Sequence, residues 1–165
     1  MSGGDDWTPS DLLLEELARS LRSTGADFGY TNWFDAVERT VVTTEYDPER
    51  GEPVPPEDGA PEWMQGEYAL QQQLFEGVDR FHRIDGGEEP GRLHDFIHSV
   101  SDDDLRQDLW DAAHRGRGAY RRVRDVLHRR GLEKLWYDYE SAADRALALG
   151  WLRDEGLLPP EPDDD

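Results

Sequence analysis

The chain has 165 residues, with 38 acidic residues against 18 basic ones for a formal net charge of -20, and it has no cysteine. Disulfides, thiolate nucleophiles and cysteine metal sites are therefore excluded, and a reducing cytoplasm is the simplest home. No apolar run approaches the roughly 20 residues of a membrane span, and the opening MSGGDDWTPSD has neither the basic flank nor the apolar stretch of a signal peptide, so a cytoplasmic chain with no membrane partner is expected.

Taken in order, residues 1–7 read as a flexible acidic N-terminus, and a single α+β domain is expected over 8–158. Thr8, Pro9 and Asp11 look like a helix start, after which Leu13, Leu14, Leu17 and Leu21 fall on one face until Gly25. Asn32 to Glu38 suggests a second, short helical patch. Val41 to Tyr46 is β-branched and aromatic, and DPERG (Asp47 to Gly51) supplies turn chemistry before Glu52 to Val54. The spacing predicts a hairpin whose return strand, carrying Pro53, lies at an edge.

Pro55 to Gly66 should be a loop, and Met64 to Glu76 can form a helix although three consecutive glutamines blur its pattern. RFHRI, from Arg80 to Ile84, alternates like a strand and can join the hairpin as a third member.

From Pro90 the helical signal strengthens, and a helical subdomain is expected over 90–158. Leu93, Phe96, Ile97 and Val100 form one stripe; Ser101 with Asp104 reads as a capping pair, followed by Leu105, Leu109, Ala112 and Ala113. Tyr120, Val123, Val126 and Leu127 line a third helix. Leu132, Leu135, Trp136, Tyr139, Ala142, Ala143, Ala146 and Leu149 keep helical spacing in a fourth, continued by Trp151 and Leu152. The fold expected is thus α+β, a small antiparallel sheet with a C-terminal bundle of about four helices, closed by an acidic tail over 159–165.

RFHRI, DFIHSV, GRGAYRRVRDVL and LWYDYES with RALALGWLRDEGL, in that order, resemble the uncharacterised protein family one-five-eight of the UPF series. The family's central stretch is similar to G-x-G-A-F-R-R-F-K-D-V-L, followed by W-Y-x-F and a closing W-L-x-x-x-G-I. The resemblance covers Asp79 to Leu158, with a weaker likeness at FDAVE (Phe34 to Glu38) and YDPERGEPV. Tyr120 and Val123 stand where phenylalanines are typical, Arg124 stands where lysine is typical, and the acidic insert before Val78 is long. The family has no established activity, so the resemblance implies an architecture and a basic patch but no catalytic residue.

Seventeen of the eighteen basic residues are arginine, and seven of them lie in RGRGAYRRVRDVLHRR, Arg115 to Arg130, which holds one acid. Two acids per base leave a chain that repels itself at ordinary ionic strength. At about 1 M salt, where the screening length is roughly 3 Å, most of that repulsion vanishes, which points to a halophilic protein; the alternative is an acidic protein from a high-GC organism that favours arginine codons.

Within the basic segment, Arg121, Arg122, Asp125, His128 and Arg129 turn away from the apolar face, with Arg124 at the boundary. Gly116 and Gly118 precede the helix, so its N-terminus with Arg117, Arg121 and Arg122 offers a site for a phosphate or carboxylate. Arg117, Arg121, Arg122, Arg124 and Arg129 are the candidate anion- or partner-binding residues. The competing reading is internal: the same arginines pair with Asp102 to Asp104, Asp108 and Asp138.

The function expected is that of a non-enzymatic binding module whose arginine-rich helix engages an acidic protein segment or a phosphorylated ligand. A nucleic-acid-associated regulator is an alternative, disfavoured at high salt: five phosphate contacts would lose roughly six orders of magnitude in affinity between 0.15 and 3 M. An enzyme using His128 or the His94 and His98 pair is a further alternative. His94 and His98 have metal-compatible i, i+4 spacing, but no third ligand accompanies them and solvated helix histidines are the plainer reading, so no metal and no cofactor is assigned. Ser99, Ser101 and Ser141 lack a nucleophile elbow. Trp136 and Tyr139 continue the core stripe, whereas an exposed Tyr137 beside the arginines would favour a binding surface.

Overall fold

The computed structural model describes residues 7–22, 29–77, 79–85 and 91–160. The fold is α+β, and the chain divides into two compact units, one formed by residues 1–87 with 147–165 and the other by 88–146. Gly25, most of the N-terminal segment and most of the acidic tail lie outside the described residues.

In the first unit, helix α1 (Asp11–Arg22) buries Leu13, Leu14, Leu17 and Ala18. Its cap is Ser10 and not Thr8: the Ser10 hydroxyl accepts from the Leu13 amide at 3.1 Å, which satisfies one of the amides left over at the helix start. Strands β1 (Thr31–Asp35), β2 (Thr40–Thr44) and β3 (Phe81–Ile84) form an antiparallel sheet in the order β2-β1-β3. Residues 31–35 are therefore a central strand where a helical patch was expected. The reason is Asp35, whose carboxylate accepts from the amides of Val37 (2.9 Å) and Glu38 (3.2 Å) and so turns the chain into β2, while Arg39 adopts a left-handed φ of 57°.

The hairpin partner of β2 is thus β1, in the register Trp33 to Val42, and not residues 52–54, which form no strand. DPERG does turn the chain, but as a short 3-10 helix (Pro48–Arg50) capped by Asp47, and the Tyr46 hydroxyl donates to the Gly51 carbonyl at 2.6 Å. RFHRI supplies β3, which pairs with β1 in the register Phe34 to His82. Helix α2 (Glu62–Phe75) starts before Met64, so the preceding loop ends at Pro61; only Leu74 of this helix is buried.

In the second unit, helices α3 (Arg92–Ser99), α4 (Asp103–Ala113) and α5 (Ala119–Arg129) and the first half of α6 (Glu133–Asp154) enclose Phe96, Ile97, Leu109, Val123, Leu127 and Trp136. The α4 cap is Asp102, whose carboxylate accepts from the Leu105 amide at 3.0 Å, in place of the expected Ser101. Buried Arg92 and partly buried Asp144 tie α3 to α6 through a 2.6 Å hydrogen bond.

The inward stripe of α6 is narrower than its spacing predicts. Trp136 is buried and packs edge-on to Phe96 with ring centroids 5.0 Å apart, whereas Leu135, Ala142 and Ala146 are exposed. Tyr120, also expected inward, is exposed and meets only the edge of Trp136, at 5.8 Å. The last part of α6 belongs with the sheet, where Ala148 and Leu152 join Leu17, Phe34 and Ile84 in the first unit's core. The helical unit therefore ends near residue 146, short of the 158 expected. No helix among the described residues is long and apolar enough to cross a membrane.

Candidate partner-binding surface

The charge of the chain is unevenly shared. Residues 88–146 hold eleven of the eighteen basic residues and thirteen of the 38 acids, a net of -2, so the remaining residues carry -18. An anionic partner meets weak repulsion at the helical unit and strong repulsion elsewhere, within the roughly 8–10 Å reach of charges at moderate salt.

The basic segment begins in the connector from α4 to α5. Gly116 and Gly118 have φ of 106° and 82°, a left-handed backbone that disfavours any side chain. Arg122 then reaches back over this connector. Its Nε donates to the Ala112 carbonyl at 2.7 Å and one terminal nitrogen donates to the Gly116 carbonyl at 2.6 Å, while the other donates to the Arg117 carbonyl. One forked guanidinium thus satisfies the end of α4 and its exit loop. Arg122 is a brace, and the phosphate cradle expected from Arg117, Arg121 and Arg122 together is not assembled.

Arg117 lines neither of two surfaces on which the other arginines of the segment fall. A groove of about 760 Å³ between α4 and α5 is lined by Arg115, Arg122, Arg129 and Arg130 but also by Asp108, Asp111 and Asp125. It neutralises itself in part: Arg130 pairs with Asp108, and the Arg129 Nε lies 3.4 Å from the Asp125 carbonyl. Among the other carboxylates expected to pair with the segment's arginines, Asp103 pairs instead with Arg106, Asp102 caps α4, and Asp138 takes Lys134 at 2.8 Å. That contact, chiefly its hydrogen bond, raises the pKa of Lys134 above the ordinary lysine range.

A smaller cleft of about 220 Å³ between α5 and α6 has a different character. Arg121 and Arg124 stand at its rim, with Leu127 and Trp136 behind them and Tyr137 beside them; His128 and Glu133, paired to one another, line it as well. Tyr137 is 58% exposed and Trp136 only 5%, as the sequence predicts for both. Arg115, Arg117, Arg121 and Arg124 form no side-chain hydrogen bond or ion pair among the described residues. The cleft therefore joins two uncommitted cations, an aromatic ring and an apolar floor, with the carboxylates of Asp125 and Glu133 also in its lining. That combination suits an acidic chain with an apolar or aromatic side chain.

The histidines rearrange. His94 and His98 do not face one another as a pair; both rings lie against Trp110, at 5.8 and 5.7 Å, and the Nε2 of His94 meets the Nε2 of His114 at 3.4 Å. The contact with His114 crosses from α3 to the end of α4, a distance of 20 residues that spacing along one helix does not reveal. No group of three or more histidine or carboxylate side chains suited to a metal exists among the described residues. The Ser99 hydroxyl donates to the Phe96 carbonyl at 2.6 Å, which accounts for it structurally.

Fold and surface together define an α+β protein with an acidic sheet-bearing unit and a helical unit carrying a basic-aromatic face. No protein-family model, no curated protein and no solved structure matches the chain.

Proposed function

We propose that the protein is a non-enzymatic binding module whose arginine-rich helix α5, with the first turns of α6, engages an acidic segment of another protein. The observation that carries this reading is the α5–α6 cleft, where Arg121 and Arg124 are uncommitted among the described residues and share a surface with exposed Tyr137. A phosphorylated side chain within that segment satisfies the same chemistry, since a guanidinium forks onto phosphate as well as carboxylate. A polynucleotide is less well served, because binding that rests on many backbone phosphate contacts weakens steeply with salt. The proposal includes a high-salt cytoplasm, argued from the net charge of -20, and membership of UPF family one-five-eight, which rests on motif order alone.

The test is fluorescence anisotropy with a labelled peptide of alternating glutamate and leucine, its phosphoserine-containing counterpart and a single-stranded oligonucleotide, each at low and high potassium chloride. Wild-type protein is expected to bind a peptide, and Arg121→Ala with Arg124→Ala to weaken it at least about tenfold, equivalent to roughly 1.4 kcal/mol. Tyr137→Ala should weaken it by a smaller factor. Unchanged peptide binding in the double variant, or tighter binding of the oligonucleotide at high salt, refutes the reading.

A further inference from the structure

We propose that His94 and His114 hold a divalent late transition-metal ion, of the zinc, nickel or copper class, between α3 and the C-terminus of α4. The proposal is independent of the α5–α6 cleft. Two imidazole nitrogens bound tetrahedrally at about 2.05 Å lie about 3.35 Å apart, and the centroids of their rings about 5.2 Å apart. The Nε2 atoms of His94 and His114 are 3.4 Å apart and their ring centroids 5.2 Å apart. The same separation is longer than the roughly 3.2 Å at which ordinary N–H···O hydrogen bonds end. Collinear rings at that nitrogen separation would place their centroids about 5.7 Å apart, so the two rings are bent out of line with one another, as two ligands of one ion must be.

The tautomer of His114 is set by its surroundings. Its Nδ1 lies 2.7 Å from the Trp110 carbonyl oxygen, which can only accept, so Nδ1 carries the hydrogen and the neutral ring presents its lone pair at Nε2. A histidine whose second nitrogen donates to a backbone carbonyl is the arrangement that orients and strengthens a metal ligand. The Trp110 ring, 4.0 Å from His114 by centroid, holds the imidazole on its other side. Both histidines are exposed, so the ion has access and water completes its shell. Two nitrogens without a carboxylate favour late transition metals over magnesium or calcium, which take oxygen ligands. His98, although spaced like a ligand, makes no such contact with His94 or His114.

The experiment titrates the full chain with nickel chloride and, separately, zinc chloride, by calorimetry and tryptophan fluorescence. About 1 M potassium chloride and about 10 mM magnesium chloride screen and occupy the many carboxylates. Expected are one ion per chain, at least about tenfold weaker binding in His94→Ala and in His114→Ala, and less than about twofold change in His98→Ala. Nickel is expected to quench a tryptophan signal that Trp110→Phe removes. Wild-type binding should fall at least about tenfold from pH 7.5 to 5.5, because protons compete with the metal for the imidazole nitrogens. Absent binding, wild-type affinity in His94→Ala or His114→Ala, an equal loss in His98→Ala, or binding insensitive to pH would each overturn the site.

Discussion

Arg122 and Arg121 are neighbours in sequence with opposite roles, and replacing each with alanine separates the brace from the binding face. In Arg122→Ala three carbonyl oxygens lose a charged donor, those of Ala112, Gly116 and Arg117. Gly116 and Arg117 are exposed, so water replaces the guanidinium there at little cost. Ala112 is 5% exposed, and its carbonyl at the end of α4 is left without its partner, at roughly 1–3 kcal/mol. Adding a few tenths for the stem that covers the connector gives about 1.5–3.5 kcal/mol in all. For a chain of this length that is a fall in Tm of roughly 3–14 °C. Arg121→Ala should stay within about 1 kcal/mol of wild type, since no internal partner is lost. Urea unfolding at constant high salt measures both. Equal stability of the two variants, in either direction, would refute the division of roles.

Trp136→Ala should cost on the order of 3–5 kcal/mol, because a buried indole that packs on Phe96 leaves a large cavity, whereas Tyr137→Ala should cost less than about 1 kcal/mol; paired denaturation curves decide. Arg80 donates to both carboxylate oxygens of buried Asp35, at 2.7 and 2.6 Å, and that pairing, opposed by burial, holds the Asp35 carboxyl below the usual carboxylate range. A carboxyl with a depressed folded pKa contributes stability that is full above its unfolded value of about 3.9 and is lost as pH falls through the folded value. Thermal scans from neutral to acid pH should therefore show wild type losing more stability than Arg80→Ala, with the two curves converging at low pH; parallel curves would remove the pair from the acid response. Tm should rise markedly between about 0.1 and 2 M potassium chloride, since screening relieves the repulsion of a chain at -20, and a flat response would end the high-salt reading.

Much of this molecule is local and therefore legible in one dimension. The i, i+3 and i, i+4 spacing of Leu93, Phe96 and Ile97, or of Val123, Val126 and Leu127, marks a helix and its buried face without reference to any other segment. Tyr137 follows from the same geometry, since a residue next to buried Trp136 points about 100° away from it. Strand pairing is not local. The stretch from Thr31 to Asp35 has too few residues to display a period, and it becomes the central strand because Asp35 turns the chain and both flanking strands need a partner. The same limit applies to the site. Composition alone marks Arg115 to Arg130 as a basic island, but which arginines remain available depends on whether a carbonyl or carboxylate stands within reach. Arg122 meets the carbonyls of Ala112 and Gly116, Arg130 meets Asp108, and Arg121 and Arg124 meet an aromatic cleft. Likewise His94 has its closest imidazole 20 residues away, because α3 and α4 pack side by side, and only tertiary structure brings such residues together.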